Sequence, residues 1–133
     1  MNSKTPRKRN AAAPRRAILL VDHGSRSPAA NRVVAALARK VRRRLPGAIV
    51  HFAHMEVVPP TIDEAVDACV AAGAREIVVH PYFLSPGMHS RRDVPALVRA
   101  AARRHRGVRV RVTAPLGGHD LLVEIVLDRV GNA

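Results

Sequence analysis

From Ala17 onward the apolar positions of the chain switch back and forth between two periods. Short runs rich in β-branched residues, AILLV (17–21), AIVHFAHM (48–55), EIVVH (76–80) and VRVRVT (108–113), read as strands. Between them, apolar residues recur every three or four positions, the spacing of a helix with one face covered. AILLV and EIVVH are almost wholly apolar, as strands covered on both faces must be, whereas VRVRVT alternates like an edge strand.

Helix ends are marked as well. Ser27-Pro28 gives an N-cap followed by a proline at the first helical position, so a helix is predicted over 28–45, with Val34, Leu37, Val41 and Leu45 on its stripe. Thr61-Ile62-Asp63-Glu64 is a capping box, and Gly73 a stop, for a helix over 61–72. Asp93 with Pro95 predicts a helix over 93–105 that buries Leu97, Val98 and Ala101, and His119-Asp120 predicts another over 119–130, running through Leu122, Ile125 and Val126. Four strand–helix units in succession predict an α/β domain, a four-stranded parallel sheet with helices on both faces, over residues 17–133.

In such open sheets ligands bind beyond the carboxyl ends of the strands, so the four strand-to-helix loops are where chemistry is expected. They hold Asp22-His23-Gly24-Ser25-Arg26, then Glu56-Val57-Val58-Pro59-Pro60, then Pro81 to Arg92 with His89, Arg91 and Arg92, and finally Pro115 to His119. Two imidazoles and a carboxylate therefore fall on one edge of the sheet. That donor set suits a borderline divalent ion such as Fe²⁺, Co²⁺, Ni²⁺ or Zn²⁺ and leaves coordination positions open. A histidine in such a loop can equally be a helix cap, and Glu56 could cap the turn that follows it. Of the other histidines, His54 shares a strand face with Glu56 and is placed to support it, His80 reads as structural, His105 as a solvated helix end and His119 as an N-cap.

Composition narrows the picture. The chain has 133 residues, enough for one core. Its aromatics are only Phe52, Tyr82 and Phe83, so the core must be aliphatic. Cys69 is the sole cysteine, which rules out an internal disulfide and fits a reducing, cytoplasmic compartment. No apolar run reaches the length of a membrane span, and the opening residues lack the apolar centre of a secretory signal. Residues 1–16 carry six basic residues and no acid, and read as a disordered basic tail. The net charge of +13 favours an anionic partner. Nucleic acid is not the expected one beyond weak contacts of the tail, because base-stacking aromatics and helix-turn-helix or zinc-finger spacings are missing. A histidine phosphatase is excluded by Asp22, which stands before His23 where that chemistry needs an arginine.

LLVDHGSRSPAAN, MEVVPPTIDEAV, IVVHPYFLSPGMHSRRDVP and APLGGHDLL occur in this order from Ala17 to Val130. In them the chain resembles the small CbiX/SirB type of sirohydrochlorin chelatase, a class II chelatase in its short, single-domain form. The resemblance implies an enzyme that inserts a divalent metal, Co²⁺ or Fe²⁺, into sirohydrochlorin on the route to cobalamin or sirohaem. The metal, Ni²⁺ included, would be a substrate, with no tightly bound cofactor. It implies His23, Glu56 and His89 as metal ligands and catalytic groups, with Glu56 or His89 as the base. Ser25, Arg26, Arg91 and Arg92 then face the carboxylates of the macrocycle. Two such halves are implied to enclose the substrate, hence a homodimer. A metal carrier, or a chelatase-like subunit acting on another tetrapyrrole, is the alternative on the same fold.

Overall fold

A computed structural model of the chain describes residues 15–85 and 88–133, the side chains of 88–91 excepted. The elements alternate as β1 (Arg15–Asp22), α1 (Pro28–Arg44), β2 (Ile49–His54), α2 (Ile62–Ala71), β3 (Ala74–Pro81), α3 (Met88–Ala102), β4 (Arg109–Val112) and α4 (Leu121–Gly131). The strands form one parallel sheet in the order β2-β1-β3-β4. The chain thus leaves β1 in one direction and later crosses back over it to β3. A crevice opens between β1 and β3 at their carboxyl ends, where the connections diverge.

Helix α1 covers β1 and β2 on one face, and α2 and α3 cover the other. Under α2 and α3 lie Leu19, Val21, Ile77 and Val79, fully buried with Val66, Cys69, Val94 and Val98. Leu20 and Val50 meet Val34 and Ala38 of α1 on the opposite side. Burial pushes the Cys69 thiol up to about 12, so it is a packing residue with no reactivity at neutral pH. The caps at Ser27 and Thr61 form as the sequence predicts. Ser27 Oγ accepts from Ala30 N–H, and Thr61 and Glu64 complete a reciprocal box.

Several boundaries differ from the sequence reading. Arg15 and Arg16, assigned to the tail, open β1: the Arg15 guanidinium donates to Ala72 O and Gly47 O, and Arg16 pairs with Glu76. Residues 1–14 lie outside the described part, as do Pro86 and Gly87. Helix α3 starts at Met88, not Asp93, and ends at Ala102. The sequence reading took Pro95 as a first-turn residue, but a helix survives one interior proline at the loss of one backbone bond, and MHSRRD contains no breaker. Leu97 is accordingly exposed, and Val94 takes its place beside Val98 and Ala101. Leu45 is exposed too, while Ala38 is buried. His105 is no solvated helix end: its Nε2 lies 2.7 Å from Asp67 Oδ1, a contact that, with Arg104, holds the Asp67 carboxyl below its usual range.

At the carboxyl edge the loops are braced against one another. The β1–β2 ladder runs past both strand ends, through Met55 N–H to Asp22 O (2.8 Å) and Glu56 N–H to His23 O (3.1 Å). Gly24 makes that approach possible. Its φ is +89°, and a Cβ there would sit 2.0 Å from Glu56 O. Leu116 N–H donates to Phe83 O, and a Cβ on Gly117 would meet Leu84 O at 1.8 Å, so the loop after β4 is tied to the loop after β3.

Chemical denaturation should separate these contributions. Gly24→Ala is expected to cost about 2–4 kcal/mol, combining a left-handed backbone with a clash against main chain. Gly47→Ala, at φ +91° with open space around it, should cost only about 1–2 kcal/mol. Equal costs would mean the loop contact is not a constraint. Ile77→Ala, in the fully buried layer, is expected to cost about 2–5 kcal/mol.

Candidate functional site

His23 leaves the end of β1, and Glu56 follows β2 by two residues; both are exposed. Strands β1 and β2 are neighbours in register, with Asp22 opposite His54. The backbone bond from Glu56 to His23 carries that alignment into the loops, so the imidazole and the carboxylate belong to adjoining residues across the edge. Val57, directly after Glu56, has φ +79°, a strained conformation for a β-branched residue. Strain of that kind persists only where the surroundings impose it, here the Gly24–Glu56 contact and the bond from Val58 N–H to Glu56 O.

The His23 ring lies on Phe83, with centroids 4.2 Å apart and planes tilted by 32°. Phe83 is itself 5% exposed and follows β3, so a core residue from across the crevice supports the imidazole. Behind the edge, His54 is 3% exposed and its Nδ1–H donates to Asp22 Oδ1 at 2.5 Å. This pair joins the residue before His23 to the strand that delivers Glu56. On the α1 side, Asn31 clamps the first loop twice. Ser25 N–H donates to Asn31 Oδ1 (2.9 Å), and Asn31 Nδ2 donates to Ser25 O (2.7 Å). An open hollow of about 340 Å³ runs from this clamp past Asp22, His23 and Tyr82.

The remaining predicted residues are placed as follows. Ser25 is half-buried, and its Oγ accepts from Ser27 N–H at 3.0 Å, so the hydroxyl helps to shape the loop before α1. Arg26 is exposed beside it. His89, expected in a loop, belongs to the first turn of α3, as does Arg91; Arg92 follows and is exposed. The side chains of His89 and Arg91 lie outside the described residues. Among the described residues, no three His, Cys, Asp or Glu side chains are grouped to hold an ion. His119 leans on its own helix, its Nδ1 accepting from Leu121 N–H at 3.1 Å. His80 bonds Thr113 through Nδ1 at 2.8 Å, and burial pushes its pKa below the usual imidazole value.

Three supporting residues were not assigned a role from the sequence. Asp22 was legible as a neighbour of His23, but its bond to His54 depends on β1 and β2 being paired in this register. Phe83 was visible as one of the few aromatics. Nothing in the sequence distinguishes Asn31.

The chain matches the CbiX family over residues 17–133. It is 41% identical to the chloroplastic sirohydrochlorin ferrochelatase of Arabidopsis thaliana, over 85% of this chain and 50% of that one. It is 32% identical to the sirohydrochlorin cobaltochelatase of Methanococcus maripaludis, over 87% and 98% of the two chains. Among solved structures, SirB from Bacillus subtilis subspecies spizizenii in complex with cobalt superposes with a TM-score of 0.81 at 30% identity, covering 89% of this chain and 50% of that one. A CbiX protein from Marinobacter aquaeolei VT8 gives 0.76 at 29%, covering 88% and 95%. The chain therefore spans half the length of some relatives and nearly the whole of others. Family match, identity and fold agree: the chain belongs to the CbiX family.

Proposed function

We propose that the protein is a sirohydrochlorin chelatase, inserting a divalent metal (Co²⁺ or Fe²⁺, with Ni²⁺ compatible with the same donors) into the macrocycle in cobalamin or sirohaem synthesis. The observation that carries this reading is the backbone ladder that sets Glu56 beside His23 at the carboxyl edge, in a chain whose relatives bear that activity. His23, Glu56 and, from the first turn of α3, His89 are the proposed metal ligands. Imidazole and carboxylate suit all three ions, so the donor set does not choose among them.

Insertion replaces two pyrrole protons by one dication, so the site must loosen the metal's water shell and accept two protons. Three protein donors hold an ion without enclosing it, and Glu56 or His89 is close enough in role to take the protons as ligands are exchanged. The exposed apolar side chains Val57 and Leu84 flank the edge and offer contact area to a flat macrocycle. Its carboxylates are proposed to meet Ser25, Arg26, Arg91 and Arg92, arginine being suited to planar, paired hydrogen bonds.

One chain supplies one side of such an enclosure, and a homodimer supplies the other. No helix among the described residues is long and apolar enough to cross a membrane, and the buried, unpaired Cys69 accords with the cytoplasm.

Absorbance changes on mixing sirohydrochlorin, Co²⁺ and protein test the assignment. His23→Ala and His89→Ala are each expected to lower kcat/KM by about 100-fold or more while the fold is retained. Arg26→Ala and Arg92→Ala are expected to raise KM by about threefold to tenfold with kcat little changed. Unchanged insertion in both histidine variants contradicts the reading.

A further inference from the structure

Among the described residues His54 is the one polar side chain that is buried. Along β2, Val50 and Phe52 face α1, and His54 follows them at the same two-residue spacing, with the Phe52 ring edge-on to it at 5.7 Å. Burying an imidazole costs stability that an apolar side chain of similar size would contribute. Packing alone therefore does not account for a histidine at this position.

Three pieces of the carboxyl edge meet at His54. Its Nδ1–H donates to Asp22 Oδ1 at 2.5 Å, and Asp22 is its register partner at the end of β1. Its backbone N–H donates to Pro60 O at 2.9 Å, which closes the loop carrying Glu56 back onto the strand it left. A Cβ on Gly24 would sit 3.1 Å from the His54 Cβ, so the turn after His23 rests against it. The main-chain bonds of the ladder set how far apart the two loops run, but paired strand ends can still twist about that line. The Asp22–His54 bond is a second attachment on one face of the pair, and it fixes the twist. With the twist fixed, so are the directions in which the side chains of His23, one residue after Asp22, and Glu56, two after His54, leave the backbone.

We propose that Asp22 and His54 are positioning residues for the metal site: their bond sets the mutual orientation of His23 and Glu56, and they act through those two residues rather than on the ion. The inference rests on the reading of His23 and Glu56 as ligands of one ion, and it names what holds them in place. Donors already oriented bind an ion without a further ordering cost, so the pair acts on affinity and coordination geometry. What matters is the hydrogen bond and not the carboxylate charge, so an amide oxygen at position 22 serves as well.

Titration of the full-length protein with Co²⁺, read by affinity and by the visible bands of the bound ion, tests the proposal without the macrocycle. Asp22 is part-exposed, so its variants should keep the fold, which circular dichroism checks. Asp22→Ala, which removes the acceptor, should weaken Co²⁺ binding by about 10-fold to 100-fold and alter the bands. Asp22→Asn, whose amide oxygen accepts the same Nδ1–H bond without the charge, should restore both. His54→Phe, which keeps a ring and deletes the donor, should lose as much as Asp22→Ala. Binding by Asp22→Ala equal to that of the unaltered chain would mean that the ladder suffices, and a loss in Asp22→Asn as large as in Asp22→Ala would mean that charge is what acts. Either result overturns the positioning role while leaving the chelatase reading in place. Cobalt bound to the unaltered chain without imidazole overturns the ligand assignment, and this inference with it.

Discussion

The candidate site depends on the parallel pairing of β1 and β2 continuing beyond the strands. Main-chain bonds from Met55 to Asp22 and from Glu56 to His23 bring two loops together that would otherwise diverge toward α1 and α2. Everything nearby serves that approach. Gly24 has no side chain because Glu56 O occupies the space, Val57 carries the strain, and Asp22 and His54 are paired underneath. A backbone contact of this kind is stiff, and stiffness matters for a site proposed to hold an ion firmly enough to bind it and loosely enough to give it up. The supports of the His23 ring, Phe83 on one side and the Asn31-clamped loop on the other, belong to the same logic of orienting a donor through its neighbours.

The elements were legible because their causes are local. Alternation in VRVRVT, the apolar AILLV and EIVVH, and the caps at Ser27 and Thr61 depend on residues a few positions apart, and the structure has them as read. The site was legible only as far as strand-to-helix loops imply one edge. Strand order was not, and with it the His23–Phe83 stacking and the Asp22–His54 bond, which join residues 60 and 32 positions apart. The start of α3 was misread because a proline that is ideal in a first turn is also tolerated further in. That shift places His89 at a helix start, where its backbone is set by α3. For α4, periodicity announced an apolar face but could not say that the face is left exposed among the described residues.

The charge also divides into parts with different causes. Arg15 and Arg16 are structural, one bonding the loops at the amino end of the sheet and the other sharing Glu76 with Arg111, whose hydrogen bonds hold the Glu76 carboxyl below its usual range. Arg26 and Arg92 stand exposed near the carboxyl edge, where a polyanionic substrate would be met. Among the described residues the arginines thus stand at both ends of the sheet, and those at the carboxyl edge are the ones proposed to meet the substrate.

The central claim is that His23, Glu56 and His89 bind one metal ion together. X-ray absorption at the cobalt edge of the Co²⁺-loaded protein measures this most directly. Two imidazole nitrogens and carboxylate oxygen in the first coordination sphere are predicted, with one imidazole lost in His89→Ala and the other in His23→Ala. Cobalt bound without imidazole, or a spectrum that neither substitution alters, would contradict the account.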